Sequence, residues 1–368
     1  MKKLLLLFIL LFSVFPVRAE PVYDAADGIS AEGQASVQEI LEDFSFRDAA
    51  LSLTEGTEGG LLHRMWQGLV RFIFGEVHSS LSVPLTIAGI SVLSGLLGHL
   101  GGEKGAGEIG FFLSYATTIG LAAAAVGDAA ELARRAAEDM STFTGAALPS
   151  LAVLSASAGS PSAAALHPAL LSAGAAASLL ISRVGIPAMY LSLALSVVGN
   201  LSPRQPLRLV ATVFRRAALW IVCGSLTIFS AVISVTGYAA GTLDGVAAKG
   251  IKYAASSLIP VLGGILSDAA EAVSLSALTV KNAAGAAGML FLLLLTLYPV
   301  IKTALSALLY RLAAAISAVA ADRRIPTALT DMADILSTLS GMTAAAGVLS
   351  ILTIGMLTRL SDMGVMMR

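Results

Sequence analysis

The sequence predicts an all-α fold. The expected architecture is a polytopic transmembrane helix bundle with a cleaved signal peptide, Pro- and Gly-broken short membrane helices and an internal repeat. Three observations predict it. Of 368 residues, 56% are hydrophobic and only 13% are charged, about half the charged share of an ordinary soluble domain. A soluble chain of this length needs a charged surface over one or two cores, and here there are too few charges to make one. The mean hydropathy of +0.84 therefore points to lipid as the main solvent. Apolar runs also recur from residue 81 onward, several near the roughly 20 residues that cross a bilayer core. Finally, those runs are rich in Ala, Gly and Ser. Lipid supplies no hydrophobic drive for helix pairing, so association depends on the close backbone approach that small residues permit.

The N-terminus has signal-peptide layout. Lys2 and Lys3 form a basic start, Leu4 to Phe15 an apolar core, and Val17-Arg18-Ala19 a small-residue cleavage site. That core is too short for a comfortable span. The expected organisation is a signal peptide over 1–19, an extracytoplasmic acidic segment with an interfacial helix over 20–80, and a membrane domain over 81–368. An uncleaved N-terminal anchor is the alternative, and it exports residues 20–80 equally.

Residues 20–60 carry ten acidic side chains against one base, Arg47. Val37, Ile40, Leu41, Phe44 and Phe46 predict one short amphipathic helix there. The segment reads either as a solvated acidic tail or as a docking arm for a partner outside the membrane. In residues 61–77, Trp66, Arg64 and Arg71 interrupt an apolar run, which suits the headgroup layer.

The clear span candidates are 81–100, 109–127, 162–182, 186–202, 217–237, 286–302 and 335–357. Segments 146–158 and 257–267 are apolar but short, and Pro149 and Pro260-Val261-Leu262-Gly263-Gly264 accompany them. They read as broken helices that either cross or turn back, which is tolerated where protein or a cavity satisfies the freed backbone. Runs such as Gly174 to Ser178 are expected to be packing faces, and Phe291 to Leu295 a lipid-facing surface. Cys223, the single cysteine, is expected to be a small buried hydrophobe.

The repeat has an offset of 111 residues: Pro149 aligns with Pro260, and Gly174-Ala175-Ala176 with Gly285-Ala286-Ala287. The repeats would cover 109–215 and 220–325. The cluster Arg204, Arg208, Arg215 and Arg216 marks a cytoplasmic side. From an exported N-terminus it lies inside only if segment 146–158 also crosses.

Charges between 244 and 281 are costly at membrane depth, about 2.5–3.5 kcal/mol each at a helix centre. Asp268 and Glu271 are three apart and share a helix face. Lys281 is expected either to pair with one of them or, with its neighbours, to be hydrated at the interface. No catalytic motif is present. There is no GxxxxGK[ST] loop and no GxSxG elbow. His63, His78, His99 and His167 lack metal-ligand spacing, so neither a metal nor a cofactor is expected. A net charge of −1 argues against nucleic acid as a partner.

One stretch carries a resemblance. Leu258-Ile259-Pro260-Val261-Leu262-Gly263-Gly264-Ile265-Leu266-Ser267-Asp268-Ala269, followed by Lys281-Asn282-Ala283-Ala284-Gly285, resembles the stage III sporulation protein AE family of endospore-forming Firmicutes. The signal peptide, the acidic segment and Leu148-Pro149 fit that family too. The resemblance implies a non-catalytic integral membrane subunit of the stage III A channel or secretion-like complex. That complex links mother cell and forespore and is needed for endospore development. The implied partners are the other stage III A membrane proteins, their ATPase and the lipid bilayer. No catalytic residue is implied. The candidate structural or pathway residues are Pro149, Pro260, Gly263, Gly264, Asp268, Glu271, Lys281, Asn282 and Gly285. A stand-alone secondary transporter with an internal repeat is the alternative.

Overall fold

The structure is a computed structural model. It describes residues 28–41, 45, 49–50, 52, 58–100, 104–157, 161–201, 206–258, 263–319 and 321–366. Of these, the side chains of 58–62, 94, 96–100, 104–111, 161–167, 201, 206, 237–258, 263–277 and 359–366 are not described. The proposed signal peptide, Phe44, Phe46 and Pro260 lie outside the described residues.

The described elements are all helical. In chain order they are α1 (Ala31–Ile40), α2 (Glu58–Ser80), α3 (Ser82–Leu100), α4 (Lys104–Ser157) and α5 (Pro161–Leu180), then a π-helical turn (Ile181–Gly185), α6 (Ile186–Leu201), α7 (Pro206–Leu258), α8 (Gly263–Ser317) and α9 (Arg324–Met366). Among the described residues, six helical stretches are long and apolar enough to cross a membrane: His63–Leu93, Phe112–Ser157, Pro168–Asn200, Leu207–Thr236, Leu278–Ser317 and Arg324–Thr358. The seven clear candidates and the short segment 146–158 overlap these six stretches, and segment 257–267 overlaps none of them. Candidates 162–182 and 186–202 join through the π-helical turn, which inserts a residue without breaking the hydrogen-bonded rod.

Through Ser157, segment 146–158 is the continuation of α4 rather than a separate helix, and Pro149 sits inside that helix. Proline there removes the amide that would bond Gly145 O. Gly145 lines a small cavity with the hydroxyl-bearing residues Ser141, Thr144, Ser178, Ser350 and Thr353, so the freed carbonyl belongs to a residue in polar company. Segment 257–267 is where α7 ends and α8 begins. Pro149 sits inside a continuous helix, and its counterpart at the 111-residue offset, Pro260, lies outside the described residues.

α8 and α9 form the centre and pack most extensively on each other, with α4 against both. The predicted lipid face Phe291 to Leu295 is mostly core. Phe291, Leu292, Leu294 and Leu295 are buried and only Leu293 is exposed, because α8 is covered by α9, α4, α3 and α1. Phe291 stacks on Phe143 of α4 with ring centroids 4.8 Å apart. Cys223 is exposed rather than buried, on the outer surface of α7 that also carries Trp220 and Ile228.

Small residues set the helix spacing, as the composition predicts. At Gly347 of α9, a β-carbon would overlap the side chain of Thr296 on α8, so the two backbones approach only because Gly347 has none. Interhelical hydrogen bonds reinforce the packing: Ser340 Oγ donates to Val300 O, Ser192 Oγ to Ala211 O and Tyr115 Oη to Val197 O, each at 3.0 Å.

The amphipathic helix expected near residue 40 forms as α1. Ser30 caps it by accepting from the Gly33 amide at 3.0 Å, which satisfies one of the orphan donors of the first turn. Val37 and Ile40 are buried one turn apart. α2 forms where the interfacial helix is predicted. It buries Phe72 against Tyr298, with ring centroids 5.2 Å apart, and leaves Trp66 and Phe74 exposed.

Candidate functional site: buried polar ties between apolar helices

Among the described residues, several charged side chains are gathered into three clusters. The first lies where the end of α6 meets the first turns of α7 and α9. Asp331, on the first turns of α9, is 4% exposed. Its Oδ2 accepts from Arg208 Nε at 2.9 Å and Asn200 Nδ2 at 3.0 Å, and its Oδ1 accepts from Arg208 at 3.1 Å. Asn200 ends α6 and Arg208 opens α7, so one carboxylate fastens three helices. One turn along α9, Asp334 receives Arg215 of α7 at 3.2 Å and Arg311 of α8 at 3.3 Å. These fork-shaped, charge-assisted contacts fix orientation as well as distance.

The second cluster lies midway along α4. Arg134 pairs with Glu131 and Glu138, each at 2.6 Å. Arg135 pairs with Glu131 at 2.8 Å and with Glu32 of α1. Asp139 is buried and accepts from both the Ser30 amide (3.2 Å) and the Ser30 hydroxyl (2.6 Å). The acidic segment is thus not wholly a free arm, since its first described helix is docked on α4 and α8. A third tie joins α2 to α8. Lys302 Nζ is 3.8 Å from the buried Glu76 and donates to Tyr298 Oη at 3.2 Å.

The sequence-predicted residues scatter. Lys281 is completely buried, and its Nζ donates to the main-chain carbonyl of Thr358 at 2.5 Å. A β-carbon on Gly285 would overlap the Thr358 side chain, so Lys281 and Gly285 meet the same point of α9 from adjacent turns of α8. Asn282 is exposed between them. Gly263, Gly264, Asp268 and Glu271 fall on the first turns of α8. Pairing of Lys281 with Asp268 or Glu271 rests on side chains outside the described residues. Pro149 is exposed on α4. The structure therefore brings together Lys281 and Gly285.

Sequence reasoning flagged Arg208 and Arg215 as basic but gave them no acceptors. Asp331 and Asp334 were legible only as isolated acids within an apolar helix. By the rule that such charges face protein or water, they were the residues to single out. Ser30 and Asp139 had no local signal, since their contact spans 109 residues. Chemically, the ties pair acids with bases and cap a helix. Among the described residues no group of three or more His, Cys, Asp and Glu could hold a metal ion.

Fold and site together define an all-helical protein whose long apolar helices are of membrane-crossing length and are cross-tied by buried polar contacts. The family described as stage III sporulation protein AE matches residues 44–361, and the chain belongs to that family. The stage III sporulation protein AE of Bacillus subtilis (strain 168) is 30% identical over 220 residues, covering 59% of this chain and 55% of that relative. The matched region thus spans about half the relative's length. No solved structure matches.

Proposed function

We propose that the chain is a non-catalytic, multi-pass membrane subunit of the stage III A channel or secretion-like complex between mother cell and forespore, required for endospore development. Family membership over residues 44–361 carries this reading, and the six apolar helices support a membrane setting. The proposed site of action is the mother-cell membrane around the forespore, with the N-terminal segment extracytoplasmic.

The helix order supports that orientation. From an exported α1 and α2, the crossings are α3, α4 and the fused α5–α6, which bring the Asn200–Arg208–Asp331 end to the cytoplasm. Arg208, Arg215, Arg216, Arg311, Arg323 and Arg324 gather toward that end, in accord with the positive-inside bias. Its basic surface faces the proposed ATPase partner, and α1 and α2 face the space between the membranes.

Purification from sporulating cells in mild detergent tests the reading. Co-purification with other stage III A membrane subunits is expected, and a chain that elutes alone from cells holding all of them contradicts it.

A second reading, a stand-alone secondary transporter, is favoured by one feature. The hydroxyl-lined cavity between α4, α5 and α9 lies on the same helical rod as the π-helical turn, and such turns often mark functional sites. Solute uptake by the lone protein in liposomes would establish that reading in place of the first.

A further inference from the structure

Three of the helices are far longer than a bilayer is thick. α4 has 54 residues, α7 has 53 and α8 has 55. Each is about 80 Å long at about 1.5 Å per residue, against roughly 30 Å of hydrocarbon. Lipid can cover less than half of each. We infer that the bilayer grips only the half of the bundle that ends at the Asn200–Arg208–Asp331 cluster, and that the other half stands out of the membrane as a helical projection. The inference rests on the membrane reading above.

Four helices measure the same layer. Its near face is the cluster that joins the α6–α7 and α8–α9 ends. Its far face is the second charged level: the Glu131–Asp139 belt of α4, the Glu76–Lys302 tie, and Arg183, which is exposed. Along α4, Tyr115 bonds Val197, one turn from Asn200, and Glu131 is about 24 Å further on. Along the fused α5–α6, Asn200 to Arg183 is about 26 Å. Along α8, Ser317 to Lys302 is about 22 Å. α3, with 19 residues, is about 28 Å from end to end. It begins just after the Glu76 region of α2 and ends four residues before α4 begins. Levels on different helices correspond, because Tyr190 Oη reaches Gly127 O at 3.3 Å. Arg183 and Arg134 each lie seven residues beyond that contact.

The surface between the two levels suits acyl chains. Leu93, Leu113, Leu209 and Leu312 are 62%, 69%, 71% and 52% exposed to anything outside the protein. Arg215 and Arg311 lie within the layer, but both reach Asp334 and their long stems let the charged heads snorkel toward the near face. The paired charges of α4 are 34–49% exposed. At the lipid-facing centre they would be expensive, and at the far interface they are hydrated. Beyond that level α7 carries Asp244, Lys249 and Lys252, and α8 carries Asp268 and Glu271. The charges that looked costly in the sequence then lie outside the hydrocarbon.

Single cysteines in a C223A background test the placement, in the purified full chain reconstituted into nanodiscs. A maleimide that cannot enter lipid reacts with hydrated thiolates only. Val153→Cys and Ser172→Cys lie beyond the far level, and Leu113→Cys and Leu312→Cys lie within the layer. The expected result is labelling of the first two without detergent, and of the second two at least tenfold faster once the nanodisc is dissolved. Protection of Val153→Cys and Ser172→Cys overturns the inference and leaves the membrane reading intact. Labelling of all four without detergent overturns the inference. If carbonate washing also releases the chain from native membranes, the membrane reading falls with it.

Discussion

Asp331 of α9 accepts hydrogen bonds from Arg208 of α7 through both carboxylate oxygens, at 2.9 and 3.1 Å, across 123 residues of sequence. A turn of α9 cannot shift or rotate without breaking this bidentate contact, so the pair sets the register of α7 on α9. Removing one partner of a buried ion pair costs about 3–5 kcal/mol. Solvent at Arg208, whose side chain is 33% exposed, reduces this, and Asp331→Ala is expected to cost about 2 kcal/mol. The expected readout is a lower Tm in detergent, with Asp331→Asn intermediate. An unchanged Tm in Asp331→Ala would show that the contact carries no stability.

The approach of Gly347 to Thr296 makes a paired prediction. Gly347→Ala forces a β-carbon into the Thr296 side chain, and overpacking of this kind costs about 1–3 kcal/mol. Adding Thr296→Ala should restore most of the loss, because it empties the space the new methyl group needs. Thermal unfolding of the two single variants and the double variant measures the coupling. Additive losses would mean that the helices do not meet at these residues.

Docking of α1 depends on Asp139. Asp139→Ala removes the acceptor of the Ser30 amide and hydroxyl, and a lost cap or buried hydrogen bond of this type costs about 1 kcal/mol. Limited proteolysis should then cut between residues 28 and 52 several-fold faster, while the core helices stay protected. Equal cleavage rates in wild type and variant would show α1 held by other contacts.

Lys281 has a buried ammonium on the Thr358 carbonyl. Lys281→Ala empties a core position and strips a charge-assisted bond, together about 2–4 kcal/mol. Lys281→Met keeps the volume and should recover more than half of the lost Tm. If Lys281→Met is as damaging as Lys281→Ala, the charge rather than the packing is what α9 requires.

The sequence made the helical class legible because composition and run length are properties of the solvent the helices live in. Amphipathic patterns around Val37 and Ile40 also found α1, and Trp66 with its arginines found α2. Span boundaries were less legible. Pro149 has the sequence mark of a helix break, yet α4 runs through it. Phe291 to Leu295 has the composition of a lipid face but is covered by four helices, and in lipid neither surface nor core excludes leucine. Of the candidate site residues, Lys281 and Gly285 meet at Thr358, a contact spanning 77 residues. The Arg208–Asp331 tie was hidden for the same reason: each end is an ordinary charge until the fold joins them.

Burial of these helices among acyl chains underlies the membrane setting, the packing by small residues and the placement of the charges. Native membranes washed in alkaline carbonate and then extracted with mild detergent test it directly. The chain is expected to stay in the pellet through the wash and to enter solution only with detergent. Recovery in the wash as a monodisperse, folded monomer without detergent would contradict it.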